Sequence, residues 1–156
     1  MRNDSTITSA GAGATAAQNN ISENNRIHCT GTLQVIGIGP GNPEFMTPEA
    51  REAILQADRV VGYITYLDLI KDLVADKVTV GTGMMQEVDR CQQAVDLAVE
   101  GHKVVVVSSG DPGVYGMAGL VIELANKVAE EKRPPVHIVP GLSAVNMAAA
   151  VLGAPL

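Results

Sequence analysis

The chain has 156 residues, enough for one ordinary domain, and at 46% hydrophobic but 3% aromatic with no Trp its core must be aliphatic. Within residues 1–30 Arg2 and Arg26 balance Asp4 and Glu23, so the whole formal charge of -6 falls on the rest of the chain, without the basic stripe that nucleic-acid binding needs. There is no apolar signal core and no apolar run of about 18 residues; Cys29 and Cys91 lie far apart, and His28, His102 and His137 are isolated. A secretory signal, a membrane span and a bound metal are therefore not expected, and the default location is the cytoplasm.

Residues 1–31, rich in Ser, Thr, Asn, Gly and Ala without hydrophobic periodicity, read as a disordered leader. From Leu33 the pattern alternates. Leu33–Ile38 is an apolar strand ending in Gly37-Ile38-Gly39-Pro40-Gly41. Thr47-Pro48-Glu49 starts a helix, with Thr as cap, Pro at the first helical position and an acid in the first turn. Its inner face is Ala50, Ala53, Ile54 and Ala57. Arg59–Gly62 is a short strand, after which Leu67, Ile70, Leu73 and Val74 keep helical spacing. Lys77–Val80 is a weaker strand, and Met84–Val99 a helix with Val88, Val95, Ala98 and Val99 inward. The valines of Val104–Ser108 suit a strand buried on both faces of a parallel sheet. A helix through Gly116–Glu131, the strand Val136–Val139, the turn Pro140-Gly141 and the segment Leu142–Leu152 follow.

Five strands alternating with helices predict an α/β domain with a mostly parallel five-stranded sheet flanked by helices. The final helix is polar only at Ser143 and Asn146. A helix apolar all round requires cover on every side. The expectation is a second domain beyond this sequence, with an oligomer interface as the alternative.

The first glycine turn does not fit a dinucleotide site, which needs G-x-G-x-x-G running into a helix and an acid at the end of the second strand. The spacing here is G-x-G-P-G, the helix starts only at Pro48, and Asp58 precedes a second strand that ends at Gly62-Tyr63. No Gly-Lys-Ser/Thr phosphate loop exists. Three small-residue turns nevertheless follow three strands: Gly37–Gly41, Gly110–Gly116 and Pro140–Ala144. In a parallel sheet they open on one edge and form a crevice walled by backbone, with Asp111 and Ser143 as polar handles. No Lys or Arg occurs between Lys103 and Lys127, so the crevice suits an uncharged or cationic small molecule better than a phosphate. The alternative for Asp111 is a turn residue bonded to its own backbone, and for Ser143 a helix N-cap, which does not exclude ligand contact.

In order and spacing, Val35-Ile36-Gly37-Ile38-Gly39-Pro40-Gly41, Ser109-Gly110-Asp111-Pro112 and Pro140-Gly141-Leu142-Ser143-Ala144 resemble the tetrapyrrole methylases, S-adenosylmethionine-dependent enzymes of cobalamin and sirohaem synthesis. The resemblance covers Leu33 to Leu156. Met46–Ala50, Val61–Leu69 and Ser108–Gly119 resemble the branch that methylates precorrin-3B at C17. Sirohaem-type members carry Asp where this chain has Tyr63, which argues against uroporphyrinogen III as substrate.

The resemblance implies that S-adenosylmethionine is the cofactor and that Pro40, Ser109, Gly110, Asp111, Val114, Ser143 and Ala144 contact it. It implies that residues 32–156 are an N-terminal lobe whose C-terminal lobe is missing from this sequence, and that the complete enzyme is a homodimer. The implied reaction is attack of C17 on the sulfonium methyl with ring contraction, which asks for positioning more than for acid–base power, and no general base is identifiable. Tyr63 and Tyr115 are candidates to face the tetrapyrrole, the alternative being that they pack against the sheet edge. A polycarboxylate substrate needs cations, and since Arg51, Arg59 and Arg90 are not clustered in sequence the second lobe is expected to contribute. Open alternatives are another corrinoid carbon, the cobalt-containing precursor, an RNA methylase of the same fold (which the acidic charge disfavours) and a non-catalytic interaction fragment.

Overall fold

The computed structural model describes residues 31–154. The expected leader, Gly31 apart, lies outside the described residues. The elements are β1 (Thr32–Gly37), α1 (Pro48–Gln56), β2 (Arg59–Tyr63), α2 (Ile64–Leu69), β3 (Val78–Thr82), α3 (Glu87–Val99), β4 (Lys103–Ser108), α4 (Ala118–Asn126), β5 (Val136–Val139) and α5 (Ala144–Leu152). The strands form one sheet in the order β3-β2-β4-β1-β5, and every ladder is parallel.

The three central strands, β1, β2 and β4, are buried on both faces, as their apolar runs require, whereas the edge strands β3 and β5 stay partly exposed. Val35, Val61, Val104 and Val106 point to one side, where Cys91, Val95, Val121 and Leu124 of α3 and α4 cover them. Ile36, Val60, Val105 and Val107 point to the other, under Ala50, Ile54 and Leu67 of α1 and α2. The strand ends are level, because Gly37 pairs with Ser108, Gly62 with Val107 and Tyr63 with Thr82. At the opposite edge Asp58, rejected above as a ribose acid, ties β2 to β4: its Oδ2 accepts from the Lys103 N–H at 2.9 Å.

Several boundaries differ from the sequence expectation. Thr47 caps α1 as expected, accepting from the Ala50 N–H at 3.2 Å. Helix α2 stops at Leu69; Leu73, Val74 and Lys77 donate to the carbonyls three residues back, tighter turns that still bury Leu67, Ile70 and Val74. Helix α3 starts at Glu87 rather than Met84, since Met85 takes a left-handed φ of 63°. Its inner face is Cys91, Ala94, Val95 and Ala98, whereas Val88 is 59% exposed because the core ends before the first turn. Helix α4 is shorter than Gly116–Glu131. A Cβ at Gly116 would lie 2.4 Å from the Pro112 carbonyl oxygen, so this glycine belongs to the preceding turn. At its other end Arg133 donates to the carbonyls of Asn126 and Val128, each at 3.2 Å. Helix α5 buries none of its residues, and Val151 and Leu152 are exposed. No helix among the described residues is long and apolar enough to cross a membrane.

Burial pushes the Cys91 thiol up to about 11, with the neighbouring Arg90 charge pulling the other way. The folded state therefore holds this proton above the ordinary thiol range, and stability falls as pH rises from about 9 towards 11. At about pH 8 the Cys91 peptide should escape iodoacetamide in the folded protein and be labelled in denaturant, as read by mass spectrometry. Fast labelling without denaturant would contradict the buried assignment.

Candidate functional site

Strands β1 and β4 are neighbours, yet the chain leaves them on opposite faces of the sheet, towards α1 and towards α4. The carboxyl ends of two such strands are the usual place for a ligand crevice in an open α/β sheet. The sequence turns meet at this crevice. Gly39 and Gly110, both left-handed, exchange two backbone hydrogen bonds: Gly39 N–H to Gly110 O at 3.2 Å and Gly110 N–H to Gly39 O at 2.7 Å. The turn after β5 closes from the other flank. A Cβ on Gly141 would stand 2.1 Å from the Gly110 oxygen and 2.8 Å from the Gly37 Cα, and one on Gly37 2.3 Å from that same oxygen. Three strand-end corners are thus in backbone contact, and only glycine permits it.

Asp111 locks this arrangement. Its Oδ1 accepts from the Gly113 N–H at 2.8 Å, the self-bonded turn anticipated from sequence, and its Oδ2 accepts from the Gly141 N–H at 3.0 Å. The second bond joins the β4 turn to the β5 turn. Ser143 is the N-cap of α5, its Oγ accepting from the Asn146 N–H at 3.4 Å and lying 3.2 Å from Asn146 Oδ1.

Six of the seven residues expected at the cofactor, Ser109, Gly110, Asp111, Val114, Ser143 and Ala144, line one cleft of about 330 Å³ at this rim. Pro40 is exposed and does not line it, although Gly39 beside it is bonded to Gly110. Tyr115 also lines the cleft, fully exposed and with a left-handed φ of 53°. Tyr63 does not; it packs edge-on against Tyr66, with ring centroids 5.2 Å apart at 88°, and Tyr66 is the one that reaches the cleft. A second cavity of about 210 Å³, bounded by Gly41, Met46, Arg51, Leu69 and Asp72, contains none of the predicted site residues. Among the described residues no group of three or more His, Cys, Asp and Glu is placed to hold a metal ion.

Sequence reasoning did not single out Tyr66, Glu87, Arg90, Ser108, Gly116, Met117 or Val145 as residues of the cleft. Arg90 carries the most weight, because the crevice that its loops left without a cation receives one from α3. It is 3% exposed, and its Nε donates to Thr82 Oγ1 at 2.7 Å and its Nη2 to the Gly83 carbonyl at 2.8 Å. The signal was present in the spacing, since Arg90 stands four and eight residues before Ala94 and Ala98 of the buried stripe.

Residues 32–156 match a profile of the family described as tetrapyrrole (corrin/porphyrin) methylases. The chain is 52% identical over 124 residues to a Salmonella typhimurium (strain LT2) protein named "Probable cobalt-factor III C(17)-methyltransferase", covering 80% of this chain and 51% of the relative. It is 45% identical over 128 residues to a precorrin-3B C(17)-methyltransferase of a Sinorhizobium species, covering 81% and 50%. Among solved structures, that of the methyltransferase CobJ superposes with a TM-score of 0.70 at 39% identity, covering 81% of this chain and 52% of that one. The chain spans about half the length of the curated relatives it matches.

Gly141→Ala, which forces a Cβ into backbone on two sides, should cost at least about 1–3 kcal/mol of unfolding free energy in urea titration. Asp111→Asn keeps one acceptor oxygen and sets an amide N–H against the other backbone donor, for a loss of about 1–3 kcal/mol. Near-native midpoints for both would mean that the three corners are not held as described.

Proposed function

The chain belongs to the tetrapyrrole methylase family, and we propose that the cleft walled by the β4 turn, the start of α5 and α3 holds S-adenosylmethionine for methylation of a corrin precursor at C17, with ring contraction, in cobalamin biosynthesis. The observation that carries this reading is the meeting of three separate turns at one sheet edge, with six of the seven expected residues lining one cleft there. The chemistry of the lining suits the donor. Ser109-Gly110 and Ser143-Ala144 offer backbone and small side chains, and a Cβ at Gly110 would meet the Ala144 nitrogen at 3.7 Å, ordinary contact across the gap. Ala144 and Val145 begin α5 and lack intrahelical partners for their N–H groups. Both lie at the cleft and present neutral donors suited to a phosphate-free ligand.

When bound, the sulfonium cofactor supplies an already activated methyl group. The protein then contributes placement: Asp111 holds two loops in one geometry, α5 fixes Ser143 by its own cap, and Val114 supplies apolar contact. Holding nucleophile and methyl in line can contribute about 7–11 kcal/mol to the barrier reduction. Tyr115, standing clear of the surface at the mouth, is placed to lie against a flat macrocycle. Tyr63 acts through Tyr66 and Arg90, not directly. Residues 32–156 serve as the amino-terminal lobe of a two-lobed enzyme, which the length of the relatives and the uncovered apolar α5 support; a cytoplasmic location and a homodimer are part of the same proposal.

Calorimetric titration of the two-lobed protein, this chain together with its C-terminal lobe, with S-adenosylhomocysteine, the demethylated cofactor, should give micromolar binding. No detectable binding, by heat or by competition, would overturn the assignment and favour a non-catalytic interaction role.

A further inference from the structure

Arg90 is the only charged side chain in the buried set of the described residues. Its known partners are neutral: the Thr82 hydroxyl, the Gly83 carbonyl and, at 3.4 Å from Nη1, the thioether of Met117, a weak acceptor. The guanidinium also stands 5.8 Å from the centre of the Tyr63 ring. None of the ion pairs among the described residues includes it, and Glu87, on the same helix and at the same cleft, is not bonded to it. A buried cation without a counter-charge is costly, and stability alone gives no reason for one. The cleft supplies the direction in which the missing charge can come.

We propose that Arg90 anchors a carboxylate carried by the ligand of this cleft, a subsite that rests on the functional reading above. Both partners of that reaction offer such a group: the amino-acid end of the methyl donor and the acid side chains of the tetrapyrrole. Thr82 and Gly83 hold two edges of the guanidinium, so its planar fork is oriented before a ligand arrives. The anchor also answers how a chain of formal charge -6 receives a polyacid: one fixed, dehydrated cation acts at the site, whatever repulsion the outer surface exerts.

The test uses Arg90→Met and Arg90→Gln with two pairs of probes, the first differing in the whole α-amino-acid end and the second in its carboxylates alone. S-adenosylhomocysteine is set against 5′-methylthioadenosine, and dicyanocobyrinic acid, a stable corrin polyacid, against its neutral methyl ester. Arg90→Met removes an unpaired buried charge but leaves the Thr82 hydroxyl and the Gly83 carbonyl without their donor, so a cooperative melting transition is required of the variant before binding is read. It should weaken one acidic probe by about tenfold or more while leaving its uncharged partner within about twofold. Loss confined to S-adenosylhomocysteine assigns the carboxylate to the donor, and loss confined to the corrin assigns it to the substrate. If the Met variant does not fold, Arg90→Gln, which retains a donor for the Gly83 carbonyl, is judged by the same criterion. A folded variant that binds both acidic probes as the parent does overturns the anchor and leaves the functional reading intact. A parent protein that binds neither overturns both.

Discussion

The main chains at Gly37, Gly110 and Gly141 touch, and everything proposed for this protein depends on that contact. The three residues follow different strands, far apart in sequence, and reach one point because β5, β1 and β4 are adjacent, parallel and level at their carboxyl ends. A side chain at either Gly37 or Gly141 would need the space already taken by the Gly110 carbonyl. The cleft therefore inherits its shape from the sheet rather than from flexible loops. Two paired glycines and one carboxylate complete the joint: Gly39 is bonded to Gly110, and Asp111 to Gly141. Such a site is preorganised, which is what a reaction limited by alignment requires.

Much of this was legible without coordinates, wherever a local pattern had one physical meaning. A run of valines between two glycines suits a doubly buried strand, and β4 is one. Thr47-Pro48 can start a helix but not continue one, and α1 begins there. That three small-residue turns share an edge followed from parallel strands alone. Less legible was whatever depends on packing between distant segments. Helix α3 starts late because Met85 adopts a left-handed conformation that its residue type does not announce. Helix α4 is short because Gly116 is drawn into the Asp111–Met117 turn and because Arg133, from further along the chain, satisfies carbonyls at its end. The Asp111 carboxylate was anticipated as a turn former, but its second bond crosses 30 residues to Gly141 and has no local signature. Pro40, expected at the cofactor from its motif, stands outside the cleft lining, next to the Gly39 that is bonded to Gly110.

Arg90 shows how an electrostatic inference from loops alone falls short. The turns contain no base, but helix α3 carries a guanidinium to the same opening. Clustering in sequence was the wrong criterion for a cation; its phase on the apolar stripe of α3 was the right one. The lining thus combines small and apolar groups with two carboxylates, Glu87 and Asp111, and one buried guanidinium.

Amide chemical-shift mapping with S-adenosylhomocysteine tests most directly whether this rim receives the methyl donor. The account predicts perturbations concentrated at Ser109–Met117, Ser143–Val145 and Arg90 with its partners Thr82 and Gly83, and none in the segment around Pro134. Perturbations centred instead on the cavity of Met46, Leu69 and Asp72, or none at all at saturating ligand, would contradict it.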